Sequence, residues 1–534
     1  MQDEKNARRR FLKTAGLGIA GTALVALPAR GAAETAAANA KVSSYDVTAF
    51  GAKGDGRTLD TSAINETIEV AAAAGGGVVC FPAGTYFSYS IQLKSNVALH
   101  LSPGSTILAA DPPSENSRGG YDLAESNAPW EAYQDFGHNH WHNSLLWGEG
   151  LENVSILGPG LIWGKGLSRG WGAGPKAELP GVGNKAIALK NCRNVLLRDF
   201  SILHGGHFGV LATGVDNLTI DNLTIDTNRD GMDIDCCRNV RVSNCSVNSP
   251  WDDGICLKSS FALGYARATE MVTITNCLVA GDYEEGTLLD GACRHFAADS
   301  KVPRTGRIKF GTESNGGFKN ITISNCVFEG CNGLALETVD GALLEDVSIT
   351  NITMRDLFGP PLFLRLGSRM RGPANVPVGV LRRVLISNIV CSNAASGVCS
   401  SITGIPGHEI EDLKISNFLI QHEGGGSRED AAQRLPEKEK DYPEPSMFGT
   451  TPAHGFFIRH VKGLEMNDIK ISCQKDDARP AFVLDDVQKA EFWRLKPPNT
   501  SNASFVLNSV EDFSISQSKP VPDMELNKVE RTEF

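Results

Sequence analysis

Carboxylates gather in two short stretches of the sequence, NRDGMDID at residues 228–235 and PWDDGICLK at residues 250–258. Aligning their apolar pairs sets Met232 against Ile255 and Ile234 against Leu257, all facing inward. Asp230 and Asp253 then fall at the same place on neighbouring layers, roughly 4.8 Å apart. Asp252 lies one place earlier, Asp233 and Cys256 point outward, and Asp235 aligns with Lys258. Three carboxylates this crowded repel one another, so at least one is expected to keep its proton near neutrality. A carboxylic acid beside a carboxylate suits glycosidic bond cleavage: one protonates the leaving oxygen and the other activates water. Two other readings of the same residues stand beside it. Aspartates cap turns in solenoids, and oxygen ligands this dense suit calcium.

A repeat must supply the layers. An Asn or Asp followed by apolar, polar and apolar residues recurs as NVSI at 153, NVLL at 194, NLTI at 217 and NVRV at 239. It continues through MVTI at 271, NITI at 320, DVSI at 346, RVLI at 383 and DLKI at 412, with a weaker GLEM at 463. The alternation marks strands with one buried face. The tightest steps, 194 to 217 to 239, are 23 and 22 residues, a spacing expected of a parallel β-helix. A propeller needs longer and more even blades. The recurring Asn is placed to hydrogen-bond along the stack. Residues 61–76 carry apolar positions at helical spacing and predict a helix capping the first coil. The all-β domain is expected over 45–515, with the charged, Pro-rich residues 424–450 as an inserted loop and 516–534 as an irregular tail.

The 534 residues are 41% hydrophobic and carry a net charge of −11, which argues against nucleic acid as a partner. Near the start, Arg8-Arg9-Arg10 precede Phe11-Leu12-Lys13 and a short Ala/Gly-rich run. Residues 1–40 read as a twin-arginine export signal, which places the mature protein in the periplasm or outside the cell. The run is short of the ~20 residues that span a bilayer, so no stable membrane span is expected. Of the 13 cysteines, Cys192, Cys245, Cys277 and Cys326 each follow an Asn, which predicts stacked buried thiols rather than disulfides or zinc.

These stretches, together with AFGAKGDG at 49–56 and GGGVVCFPAGTYF at 75–87, resemble the polygalacturonase-like glycoside hydrolases of family 28. That family belongs to the pectin-degrading right-handed parallel β-helix superfamily, and the resemblance runs from about 45 to 425. It implies an inverting hydrolase of pectic or related plant polysaccharide, working without metal or cofactor. Asp252 would be the general acid, Asp230 and Asp253 would position and deprotonate water, and Asn228 would orient the site. Lys258 falls on the lysine of the D-D-x-x-x-x-K-S motif.

Two family motifs, G-H-G and R-I-K, are out of place. Arg307-Ile308-Lys309 precedes NITISNC (320–326) and so occupies the G-H-G slot, with Gly306 where the histidine would be. In the R-I-K slot, Ala335 and Glu337 replace the arginine and lysine that would hold a sugar carboxylate. Glu337 would reverse the charge there, pointing to a neutral sugar or a different cut point. Arg307 and Lys309, flanking inward Ile308 and Phe310, are expected beside the aspartates in contact with substrate or the carboxylates. Glu313, Glu337, His207, Tyr265 and Arg365 complete the candidate substrate contacts; Arg365 is preferred over Arg369 and Arg371 because alternation turns it outward. Trp130, Trp141, His138, His140 and His142 could wall one end of a cleft, or the histidines could bind a metal. Long loops favour action at a chain end. A polysaccharide lyase on the same fold and a non-catalytic sugar-binding solenoid are the alternatives.

Overall fold

The computed structural model describes residues 43–113, 119–169, 179–498 and 502–534; the expected export signal lies outside them. The described chain is a parallel β-helix. Helix Thr61–Ala73 buries Ile64, Thr67, Ile68 and Ala71 against the first coil, as its apolar spacing predicts. Each later coil contributes one strand to a sheet that carries the candidate site. Its consecutive members include Phe208–Thr213, Asp230–Asp235, Ile255–Ser259, Ile308–Ser314, Leu334–Thr338 and Leu362–Leu366, all paired in parallel. The register pairs Met232 with Ile255 and Ile234 with Leu257, and then Ile255 with Ile308 and Leu257 with Phe310. All of these side chains are fully buried, so a one-residue slip would drive the acidic set into the core.

The recurring position of the repeat has a backbone reason. Asn153, Asn194, Asn217, Asn239, Asn320, Asp346 and Asp412 all have φ between 52° and 59°, the left-handed region that Asn and Asp tolerate best after glycine. Gly463 occupies the same place at φ 75°. The side chains also form a ladder: the amides of Asn194, Asn217 and Asn239 donate to the preceding Asn at 2.9, 2.8 and 2.6 Å.

Two expectations are corrected here. The tail is not irregular: Met524–Glu533 is a strand, antiparallel to Phe505–Ser516. The last coil of a solenoid presents an open sheet edge, and this strand covers it, pairing Val529 with Val510 and Leu526 with Phe513. Its alternation is diluted by charged residues, which hid it. The cysteines are free and mostly buried. However, only Cys245, Cys277 and Cys326 stack, because Ser246, Leu278 and Val327 are register partners. Cys192 lies at another corner of the coil, in line with Val215 and Cys237, since Arg193 pairs with Asp216 and Asp216 with Arg238. Two different corners share the same Asn-Cys dipeptide.

Asn217→Ala removes both ladder bonds and places an alanine in the left-handed region. It is expected to destabilise the protein by about 1–2 kcal/mol. Asn217→Gly should cost less, and a thermal or urea unfolding series checks the order.

Candidate functional site

Gly231, the second residue of strand Asp230–Asp235, stacks on Gly254, which immediately precedes strand Ile255–Ser259. A Cβ on Gly231 would lie 2.4 Å from the Gly254 carbonyl oxygen, so only glycine lets the two layers approach. This brings Asp230, Asp252 and Asp253 together, with an oxygen from each within 4.8 Å of the others. They floor a cleft of about 220 Å³ whose walls include Asp135, Phe136, His138, His207, Lys309 and Tyr442.

The three carboxylates are not equivalent. Asp253 accepts from Arg307 Nε at 2.8 Å and lies 3.3 Å from Lys309 Nζ. Burial pushes its pKa up, but Lys309, Arg307 and Lys258 outweigh it and bring it down to about 2. Asp230 is driven well above the ordinary carboxylate range by burial, then by the charges of Asp252 and Asp233. Asp252 is raised by burial, against the pull of Arg229, whose Nη2 donates to it at 2.6 Å. Asp252 is also the most open of the three, with 28% of its side chain exposed. The site thus holds one firmly ionised carboxylate beside two whose pKa is raised, Asp230 more than Asp252.

Lys258 is buried between Glu313 at 3.1 Å and Asp233 at 3.8 Å. Burial opposes ionisation of Glu313, but Lys258, His138 and Arg371 hold it well below its usual range. Glu313 therefore supports the floor through Lys258 and also accepts from the backbone amide of Asp135. His207 lines the cleft; burial keeps its imidazole neutral, and its Nδ1 lies 2.9 Å from the Arg169 carbonyl. Asn228 is buried two residues before Asp230 but outside the cleft lining, and its Oδ1 has no hydrogen-bond partner.

Other candidates sit elsewhere. Arg365 turns outward as alternation requires, but it meets protein backbone. Its Nη2 donates to the carbonyls of Glu437 and Lys438 at 2.9 and 3.1 Å, and Nη1 to that of Gly404 at 3.0 Å. Tyr265 is half exposed in a loop away from the cleft, and neighbouring Arg267 is committed to Asp216. Glu337 is wholly enclosed, 3.8 Å from Lys309 and outside the cleft lining. Burial raises its pKa to about 8, so near neutrality it carries a proton rather than reversing the local charge. The three histidines do not converge. His138 meets Asp233, His140 meets Glu131, and His142 meets Glu125 and Glu149. Trp141 is buried with its Nε1 donating to Thr213, and Trp130 donates to the Ala262 carbonyl. Neither tryptophan lines the cleft.

The inserted loop supplies two residues that the sequence did not single out. Glu444 accepts from Arg307 Nη2 at 2.7 Å and from Lys309 Nζ at 3.3 Å. Tyr442 places its ring over Lys309, and its hydroxyl lies 3.5 Å from Asp135 on the opposite wall. The available signal was a charge count: two outward cations beside one Asp call for a second carboxylate, and the insertion is rich in them.

Glu337 generates a pH test. Its folded pKa of about 8 exceeds the unfolded value of 4.5, so between these pH values the folded state holds a proton that the unfolded state has lost. Stability from this group is complete below 4.5 and declines as pH rises towards 8, by at most about 1.4 kcal/mol per unit. Glu337→Gln is expected to flatten that decline, read from unfolding midpoints at pH 5 and pH 8.

Comparisons with known proteins agree with this fold. A family model described as rhamnogalacturonase A/epimerase, pectate lyase-like, matches residues 44–137, and one for a right-handed β-helix region matches 181–264. A probable polygalacturonase of Vitis vinifera is 23% identical over 408 residues, 73% of this chain and 76% of that protein. An exo-poly-alpha-D-galacturonosidase of Dickeya chrysanthemi is 26% identical over 212 residues, 39% of this chain and 33% of that protein. The solved family 28 exopolygalacturonase of Yersinia enterocolitica superposes with a TM-score of 0.60 at 18% identity, covering 84% of this chain and 78% of that one. The exopolygalacturonase of Thermotoga maritima gives 0.58 at 17%, covering 80% and 92%. In sequence and in its right-handed parallel β-helix, this chain is polygalacturonase-like.

Proposed function

We propose that the cleft hydrolyses glycosidic bonds of a pectic or related plant polysaccharide, with inversion and from a chain end. The observation that carries this reading is the convergence of Asp230, Asp252 and Asp253 in one cleft, an oxygen of each within 4.8 Å of the others, with Asp253 held by two buried cations and Asp252 the most open of the three. Asp252, raised and open to the cleft, gives its proton to the leaving oxygen. Asp253, held ionised by Arg307 and Lys309, takes a proton from the attacking water, and Asp230 helps hold that water. Action at a chain end is supported by the inserted loop reaching the cleft, where the Tyr442 hydroxyl lies 3.5 Å from Asp135. Inversion rests on the family resemblance. The oxygens lie closer than the roughly 6.5–9.5 Å usual between acid and base in inverting sites, so the released anomer is the deciding measurement.

Asp252→Asn is expected to lower kcat by about 10²–10⁴-fold on pectic oligosaccharides while leaving the unfolding midpoint close to wild type. Retained turnover would remove Asp252 from the role of acid. Unsaturated, ultraviolet-absorbing products would point to a lyase, and binding without product to a non-catalytic solenoid. The same proposal places the protein in the periplasm or outside the cell. Fractionation of cells carrying the wild-type chain or a variant with Arg8, Arg9 and Arg10 changed to Lys checks it; only the wild type should leave the cytoplasm.

A further inference from the structure

The loop that delivers Glu444 is anchored on both sides of that residue. Upstream, Arg459 donates to the carbonyls of Leu435 and Pro436 at 2.8 and 2.9 Å, and Arg365 to those of Glu437 and Lys438. The Ser368 amide adds a bond of 2.7 Å to the Glu439 carbonyl. Downstream, Phe448 is buried with the guanidinium groups of Arg365 and Arg459 at 5.6 and 5.9 Å from its ring. Two buried arginines thus clamp the segment before and after Glu444, and the carboxylate between them reaches Arg307 and Lys309. This is a rigid strap carrying a fixed carboxylate.

Glu444 takes up the cation pair that a substrate carboxylate would need, and about a third of its side chain is exposed beside the cleft wall formed by Lys309. Arg307 and Lys309 are the cations nearest Asp253, and both are already bridged by Glu444. Of that pair Lys309 lines the cleft, and the arginine and lysine that line it with Lys309 are also paired with protein carboxylates: Arg229 with Asp252, and Lys258 with Glu313. A uronate entering beside the strap would meet Glu444 at close range, with the matching positive charge already compensated.

Building on the hydrolase reading, we propose that Glu444 is a specificity-determining residue that makes this side of the cleft select a sugar without a free carboxylate. Either a neutral sugar or an esterified uronate satisfies that chemistry. The strap occupies the cation pair with a carboxylate of its own, so an acidic sugar is disfavoured by repulsion while an uncharged one keeps its hydrogen bonds.

Three oligomers with the same linkage separate the possibilities: an oligogalacturonide, its methyl ester, and its carboxyl-reduced form. They differ only at the sixth carbon. For the wild-type full chain, kcat/KM is expected to be at least about tenfold higher on an uncharged oligomer than on the acid. Preference for the ester identifies esterified uronate, and preference for the reduced form identifies a neutral sugar. Glu444→Gln keeps the shape of the side chain and is expected to shift the ratio towards the acid by about tenfold or more. A wild-type preference for the acid, or an unchanged ratio in the variant, overturns the proposal. Should the variant not fold, the wild-type ratio decides alone. If none of the three is hydrolysed, the hydrolase reading fails on this polymer, and the charge preference is then read from calorimetric binding to the wild type. Equal binding of charged and uncharged oligomers, or none, overturns it.

Discussion

The carboxylate of Asp253 lies between two buried cations of the next coil, Arg307 at 2.8 Å and Lys309 at 3.3 Å, and the rest of the site depends on that contact. It keeps one carboxylate ionised in an enclosed place. Burial above all, with neighbouring carboxylates adding to it, pushes Asp230 and Asp252 towards their protonated forms. Breaking one partner out of a buried pair of this kind costs about 3–5 kcal/mol, because the other charge is left unsolvated. The same interaction therefore keeps Asp253 ionised and ties together the coils that build the cleft.

Two cations on one aspartate leave positive charge to compensate, and the strap answers it with Glu444. Arg365 and Arg459 hold that strap through backbone carbonyls, which makes them positioning residues acting at a distance from the cleft. Glu337 completes the set from behind, protonated near neutrality, and adds little to the charge of the cluster. What looks from outside like a surplus of ionisable groups is a nearly balanced network.

Much of the fold was legible because a solenoid writes its geometry into short repeats. The Asn at 153, 194, 217 and 239 marks a left-handed backbone position, and the apolar pairs beside it mark the inward face. The stacking of Asp230 on Asp253 followed from the register of Met232 with Ile255, a local count. The terminal strand was hidden because an edge strand carries charges that blur its alternation. The displaced cysteine was misplaced because Asn-Cys occurs at two corners of the coil. Arg365 was rightly turned outward, yet alternation says which way a side chain points and nothing about what a distant loop puts in its path.

The sequence by itself determined the layered β-helix, the convergence of Asp230, Asp252 and Asp253, and the presence of Arg307 and Lys309 beside them. All of these follow from periodicity within one coil and the fixed spacing between coils. Only the tertiary structure decided who pairs with whom: Arg307 and Lys309 with Asp253 and Glu444, Lys258 with Glu313, Arg365 with the strap, and His138, His140 and His142 with separate acids. The reason is physical. Apolar burial is set by neighbours close in the repeat, whereas a buried charge seeks any opposite charge within a few ångströms, however far along the chain it lies, as with the 137 residues between Arg307 and Glu444.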